Sequence, residues 1–235
     1  MVASRAKAFA RRMLTRHLVG RVGFEGVSAE PVSRIFGIDR GTPIDRVLIE
    51  NFLSSQREFI RGDCLEVEEP TYTRKFGAAG HVGHVLKFVP SDRPGHGAEV
   101  VADLTRPDTV PAGRFDCFIC TQTLNFIFDL EPVIVSIHRL LKPGGRALIT
   151  AAGISQISRF DYERWGDYWR FTDQSLAKLL TRQFSADKVR VTTFGNVALS
   201  CLFLQGLAAE DVPDPSLLQR TDPDYPMLVC AVAEK

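Results

Sequence analysis

The stretch FDCFICT at residues 115–121, followed by a helical segment and then LLKPGGRALIT at 140–150, decides how this chain folds. The first run reads as a buried strand, and Leu130 to Leu141 reads as a helix that stops at Lys142-Pro143-Gly144-Gly145. Lysine suits a helix C-terminus, proline prevents continuation and glycine accepts the positive φ of the reversal. A second strand, Arg146 to Ala151, follows directly. Working outward, further β-prone runs fall at Cys64 to Val67, Val82 to Val89, Glu99 to Ala102, Asp187 to Phe194 and Met227 to Ala233. Helices are expected at Ile44 to Phe59, at Asp173 to Gln183 with Thr172 or Asp173 as cap, and at Val197 to Ala209. Strands alternating with helices predict an α/β chain with a doubly wound, mostly parallel seven-stranded sheet covered on both faces.

The crossover from Val67 to Val82 has only about a dozen residues, near the lower limit for joining parallel strands. Its helix must be short, and Thr73 to Gly77 is the place for it. Residues 1–60 are expected as an N-terminal helical extension and 61–235 as the α/β domain.

Hydrophobic residues make up 45% of the 235 positions and charged residues 24%, an ordinary globular mixture that excludes wholesale disorder. A net charge of +1 gives no global attraction to nucleic acid, so no such partner is expected. The one basic stretch is at the start, where Arg5, Lys7, Arg11, Arg12, Arg16 and Arg21 surround Phe9, Met13, Leu14 and Leu18 at helical spacing. It reads as an amphipathic leader helix packed on the domain, with membrane or polyanion contact as the competing reading. No run reaches the ~18 apolar residues that would span a bilayer, so stable membrane insertion is not expected and the cytoplasm is the expected compartment. Five cysteines, an odd number, do not make a secreted disulfide pattern. Cys117 and Cys120 form a CxxC, but within a strand positions three apart face opposite sides, so neither metal nor redox chemistry is expected from them. No zinc-ligand spacing, phosphate-binding loop or nucleophile elbow is present, and no metal is expected.

FDCFICT together with LKPGG resembles the fourth and fifth strands of the class I S-adenosylmethionine-dependent methyltransferases. The whole chain, including DRGTPIDR at 39–46, TYTRKFG at 71–77 and ISQISRFDYERWGDYWRFT at 154–172, is similar to a bacterial subgroup associated with polysaccharide or secondary-metabolite biosynthesis. The resemblance implies a Rossmann-like methyltransferase fold, S-adenosylmethionine as cofactor and a small-molecule acceptor methylated at oxygen or nitrogen. It also implies that Glu66, at the end of the first strand, helps hold the cofactor's ammonium, and that Asp103 with Leu104 contacts the adenine. In one respect the sequence departs from the family. Where a glycine-rich loop normally lies against the cofactor, it has Glu68-Glu69-Pro70-Thr71-Tyr72, and the second strand brings His84 and Lys87 where an acid usually binds the ribose. The competing readings are a methyltransferase-like enzyme that performs another reaction, such as a cyclisation or rearrangement, and a noncatalytic binding partner.

In a doubly wound sheet ligands bind beyond the carboxyl ends of the strands, which draws Glu66 to Tyr72, Asp103 to Thr105, and Thr121 to Asn125, with Thr121 and Gln122 as cofactor contacts, to one place. A cationic sulfonium suits the carboxylates and aromatic face of Glu66, Glu68 and Tyr72, although a solvated acidic turn would look the same. The segment after the fifth strand is dense in arginine and aromatic residues. Arg159, Tyr162, Trp165 and Trp169 are candidate acceptor contacts, with Arg40 closing the site from the N-terminal side; a packing loop and an ion-pair cluster are the plain alternatives. Asp167, Tyr168, Glu163 and His84 are the candidates for a base. The sequence leaves open whether the chain works as a homodimer.

Overall fold

The computed structural model describes residues 29–88 and 98–235. The expected basic leader helix lies outside the described residues. Residues 32–235 form one compact unit. The helical segment before the first strand packs with the sheet. The physical reason is the apolar side of helix α1, Ile44–Ser55, whose Ile44, Leu48, Ile49, Phe52 and Leu53 are buried in the same cluster as Cys64, Cys117 and Leu148. Each such side chain contributes roughly 1.5–3 kcal/mol on burial.

Seven strands follow: β1 Asp63–Val67, β2 Val82–Lys87, β3 Ala98–Val101, β4 Phe115–Thr121, β5 Leu141–Ala152, β6 Val189–Phe194 and β7 Leu228–Glu234. They lie in the order β3-β2-β1-β4-β5-β7-β6. All pairs are parallel except those of β7, which runs antiparallel to β5 and β6. The strand order reverses between β1 and β4, which opens a crevice at their carboxyl ends.

The decisive stretch behaves as a two-sided strand. Phe118 and Cys120 of β4 enter one apolar cluster while Cys117 and Ile119 enter the other, so the two cysteines of the CxxC face opposite layers. The LKPGG segment differs from a simple turn. It opens β5, with Leu141 already opposite Phe115, and it bulges out before pairing resumes at Cys117 and Arg146. Two glycines make this possible: Gly144 has φ 78°, and a Cβ on Gly145 would come within 2.9 Å of the Phe115 carbonyl oxygen.

The remaining helices are α2 Thr71–Phe76, α3 Leu130–Leu140, α4 Arg159–Tyr162, α5 Asp173–Leu180 and α6 Val197–Leu204. Thr172 caps α5 by accepting from the Ser175 N–H at 3.1 Å, while the Ser175 hydroxyl accepts from the Thr172 N–H at 2.9 Å. Helix α2 is the short crossover that the spacing demanded.

Candidate functional site

Two neighbouring hollows sit at the crevice. The smaller, about 340 Å³, is lined by Arg46, Glu50, Glu66, Val67, Glu68, Glu69, Thr71, Tyr72 and Thr121. The larger, about 450 Å³, is lined by Phe36, Ile38, Asp45, Arg46, Gln122, Asn125, Arg159, Phe160, Asp161, Asp167 and Arg170 among others. Both volumes fall in the range of small-ligand sites. Arg46 lines both hollows and marks their junction.

The smaller hollow is built where β1 ends. Glu66, only 2% exposed, turns its carboxylate onto the start of α2. It accepts from the Tyr72 N–H at 2.9 Å, the Thr73 N–H at 2.8 Å and the Thr73 hydroxyl at 2.8 Å. Burial pushes its pKa up, and those donors oppose the shift. Glu66 therefore holds the loop as well as facing the hollow. The Glu69 N–H donates to the Val67 carbonyl at 2.9 Å, closing a tight turn around Glu68. Glu68 stands at φ 65°, a left-handed conformation that glycine adopts without strain. The loop thus holds a glutamate in a backbone conformation that glycine favours. Lys87, at the end of β2, ties it down by donating to the Glu68 carbonyl at 2.5 Å and to its carboxylate at 3.1 Å. Tyr72 is buried and stacks on Phe76, and its hydroxyl accepts from Arg46, whose guanidinium lies 5.7 Å over the ring. Burial raises the Tyr72 pKa, so its hydroxyl stays protonated and it is a poor base. Tyr72 forms part of the wall of the smaller hollow, and Pro70 is buried outside its lining.

In the larger hollow, Asn125 organises the loop after β4. Its amide donates to the Gln122 side chain at 2.9 Å and accepts from the Ala152 N–H at 3.2 Å, and its carbonyl accepts from the Tyr168 N–H at 2.8 Å. Gln122 has φ 50° and Phe36 φ 61°. Among the described residues, Phe36, Glu68 and Gln122 are the non-glycine residues with positive φ, and all three line the hollows. Backbone strain of this kind collects at functional sites.

Of the residues expected at the site, Glu66, Glu68, Tyr72, Thr121, Gln122, Asp167 and Arg159 line the hollows. The others do not, for identifiable reasons. His84 is buried at the opposite end of the sheet, with Nε2 3.2 Å from Asp63 and its ring edge-on to Phe115; a base there would be remote from the crevice. Leu104 is fully buried in the core, and Asp103 turns back to accept from the Thr105 N–H at 2.8 Å and hydroxyl at 2.7 Å. Arg40 is held in a two-point pair with Asp211, both contacts 2.8 Å, which staples the connector to residue 211. Tyr162, Trp165, Tyr168 and Trp169 are exposed on the outer side of their segment, and Glu163 lies beside them. Trp169 donates to the carbonyls of Ile127 and Phe128, and Tyr168 packs against Phe128. Asp167 lines the hollow, yet its side chain is 1% exposed and it is gripped by Arg170 through contacts of 2.5 and 3.0 Å. All five Arg170 donors are used, by Asp167 and by the carbonyls of Ser155, Gln156 and Trp169. That pair is a brace under the segment, so Asp167 is not available as a base.

Arg34, Ile35, Phe36 and Ile38 were not legible as site residues, because only the fold of the connector brings them to the carboxyl end of β5. Asp45 had a signal in the DRGTPIDR cluster. Burial pushes its carboxyl pKa up, against the pull of neighbouring Arg46.

A mostly parallel sheet whose strand order reverses between β1 and β4, with two hollows at its carboxyl crevice, defines an α/β protein of the doubly wound class. Residues 84–149 match the family model described as a methyltransferase domain. A SAM-dependent methyltransferase from Archaeoglobus fulgidus is similar in structure, with a TM-score of 0.52 at 11% identity over 80% of this chain and 93% of that one. Phosphoethanolamine N-methyltransferase 2 from Haemonchus contortus, in complex with S-adenosyl-L-methionine, gives a TM-score of 0.50 at 14% identity, over 82% of this chain and 57% of that one. None of the curated proteins matches the chain. The chain shares the fold of these methyltransferases, and the segment from β2 into β5 is similar to the methyltransferase-domain model.

Proposed function

We propose that the chain transfers a methyl group from S-adenosylmethionine to a small molecule, a sugar or secondary metabolite, at oxygen or nitrogen. The observation that carries this reading is the meeting of three left-handed non-glycine residues, Phe36, Glu68 and Gln122, around two adjoining hollows at the crevice. When bound, the cofactor supplies an electrophilic methyl on a cationic sulfur. Four glutamates, at 50, 66, 68 and 69, line the smaller hollow against a single arginine, which suits a donor with a sulfonium and an ammonium. Glu66 sets the entry of α2, and Arg46 with Tyr72 forms the wall toward the larger hollow. Asp45 is the acid there that best suits proton removal from an acceptor: it lines the hollow, its pKa is raised by burial, and no hydrogen-bond donor side chain clamps it as Arg170 clamps Asp167. The reading makes no use of a metal and places the reaction in the cytoplasm; among the described residues no helix is long and apolar enough to cross a membrane.

A second reading, a methyltransferase-like enzyme with another reaction or a binding partner, is favoured by the turn of Asp103 onto Thr105 and the full burial of Leu104, away from the hollows. Calorimetry separates them. Micromolar affinity for S-adenosylmethionine and S-adenosylhomocysteine is expected for methyl transfer, and absence of binding at millimolar ligand removes it.

A further inference from the structure

The two hollows differ in charge, and the difference bears on what the larger one receives. Glutamates dominate the smaller hollow, whereas the larger one has four arginines, at 34, 46, 159 and 170, against three aspartates. The Asp167–Arg170 pair neutralises itself, which leaves three arginines, at 34, 46 and 159, against Asp45 and Asp161, the latter accepting from the Ser158 hydroxyl at 2.6 Å. Two of the arginines keep unused donors. Among the described residues the Arg159 side chain makes a ring contact with Tyr162 at 5.2 Å and no hydrogen bond or ion pair, and Arg46 commits one nitrogen to Tyr72. The rest of the lining is largely apolar, through Phe36, Ile38, Phe126 and Phe160. A planar guanidinium fork matches a carboxylate or phosphate at two points, and an apolar wall beside it suits a ring or hydrocarbon body.

We propose that the larger hollow takes an anionic acceptor, a small molecule with an apolar body and a carboxylate or phosphate group that Arg46 and Arg159 engage. Arg46 stands at the junction of the hollows, so the anion would anchor next to the donor side, and Arg159 would close over it from α4. The proposal builds on the methyl-transfer reading for the word acceptor, but the anion preference is a property of the hollow itself.

The test uses three ring compounds of one size, 4-hydroxybenzoate, phenyl phosphate and neutral 4-hydroxybenzamide, titrated into the full chain with and without S-adenosylhomocysteine. One or both anions should bind about tenfold or more tighter than the amide, as charge-assisted hydrogen bonds predict, and the advantage should shrink with added salt. The arm that binds better distinguishes carboxylate from phosphate. Arg159→Gln, an exposed position that leaves the core untouched, and Arg46→Gln should each remove most of that advantage. Arg164→Gln should not, because that guanidinium stacks 3.5 Å over Phe160 outside the lining. Equal binding of anions and amide, no binding of either anion at millimolar concentration, or a preference that survives in both Arg159→Gln and Arg46→Gln overturns the proposal. Failure of S-adenosylhomocysteine to bind in the same titrations sinks the donor reading alone and leaves the anion preference standing on its own data.

Discussion

Glu68 offers the sharpest test of how the first loop is built. Its φ of 65° belongs to a conformation that costs a residue with a side chain about 1–3 kcal/mol. Its pair with Lys87, at 3.1 Å with side chains 47% and 18% exposed, contributes only about 0.2–1 kcal/mol after solvent screening. Glu68→Ala loses the pair and keeps the strain, so it should be less stable than the parent by about that smaller amount. Glu68→Gly loses the same pair, relieves the strain, and gives back about 0.4–1 kcal/mol through the freer unfolded chain. Glycine should therefore be more stable than alanine at this position by about 1–2 kcal/mol, or about 2–8 °C in melting temperature for a chain of this size. Lys87 retains its bond to the residue 68 carbonyl in both variants. Glu69, which is not in a left-handed conformation, supplies the control: there glycine should be the less stable of the two. Urea unfolding with an unchanged slope reads the differences directly. An alanine variant at 68 that equals or exceeds the glycine variant would refute the reasoning.

Other outcomes follow from the same geometry. Glu66→Ala leaves the N–H groups of Tyr72 and Thr73 without an acceptor in a buried place, a loss of about 2–6 kcal/mol by denaturant unfolding at about 1–3 kcal/mol per orphaned group; a change under about 1 kcal/mol would mean that water or another group replaces it. The Arg40 guanidinium holds the Asp211 carboxyl down at about 2. A depressed folded-state pKa means the pair stabilises above the ordinary aspartate value of about 3.9 and fades as pH falls from there through about 2. Carbon-detected titration of Asp211 should show this, with Arg40→Ala moving the midpoint up; an unmoved midpoint contradicts the staple. A hydrogen bond with Cys64, and then burial, push the Cys117 thiol well up; burial pushes that of Cys230 well up and that of Cys120 to about 12, and Cys64 is buried too, whereas Cys201 is exposed. One cysteine should alkylate quickly in the native protein and five in denaturant, and mass mapping that finds a fast thiol other than Cys201 would count against this packing.

The sequence determined the sheet, because its information there is local. β-Prone runs and helical spacing repeat in order along the chain, and Pro143 with the glycines at 144 and 145 can only stop a helix and admit a bulge, so β4, α3 and β5 were legible from residue types. The carboxyl-end rule likewise brought Glu66, Glu68, Tyr72, Thr121 and Gln122 to the crevice. Tertiary structure decided what those side chains were free to do. Asp167 looked like a base until its partner Arg170 was seen to saturate it, His84 looked near the site until its strand register pointed it at Asp63, and Arg40 was already spoken for by Asp211, 171 positions away. Availability of a charged group depends on which opposite charge the folded chain brings within a few ångströms, and that neighbour can come from anywhere in the sequence.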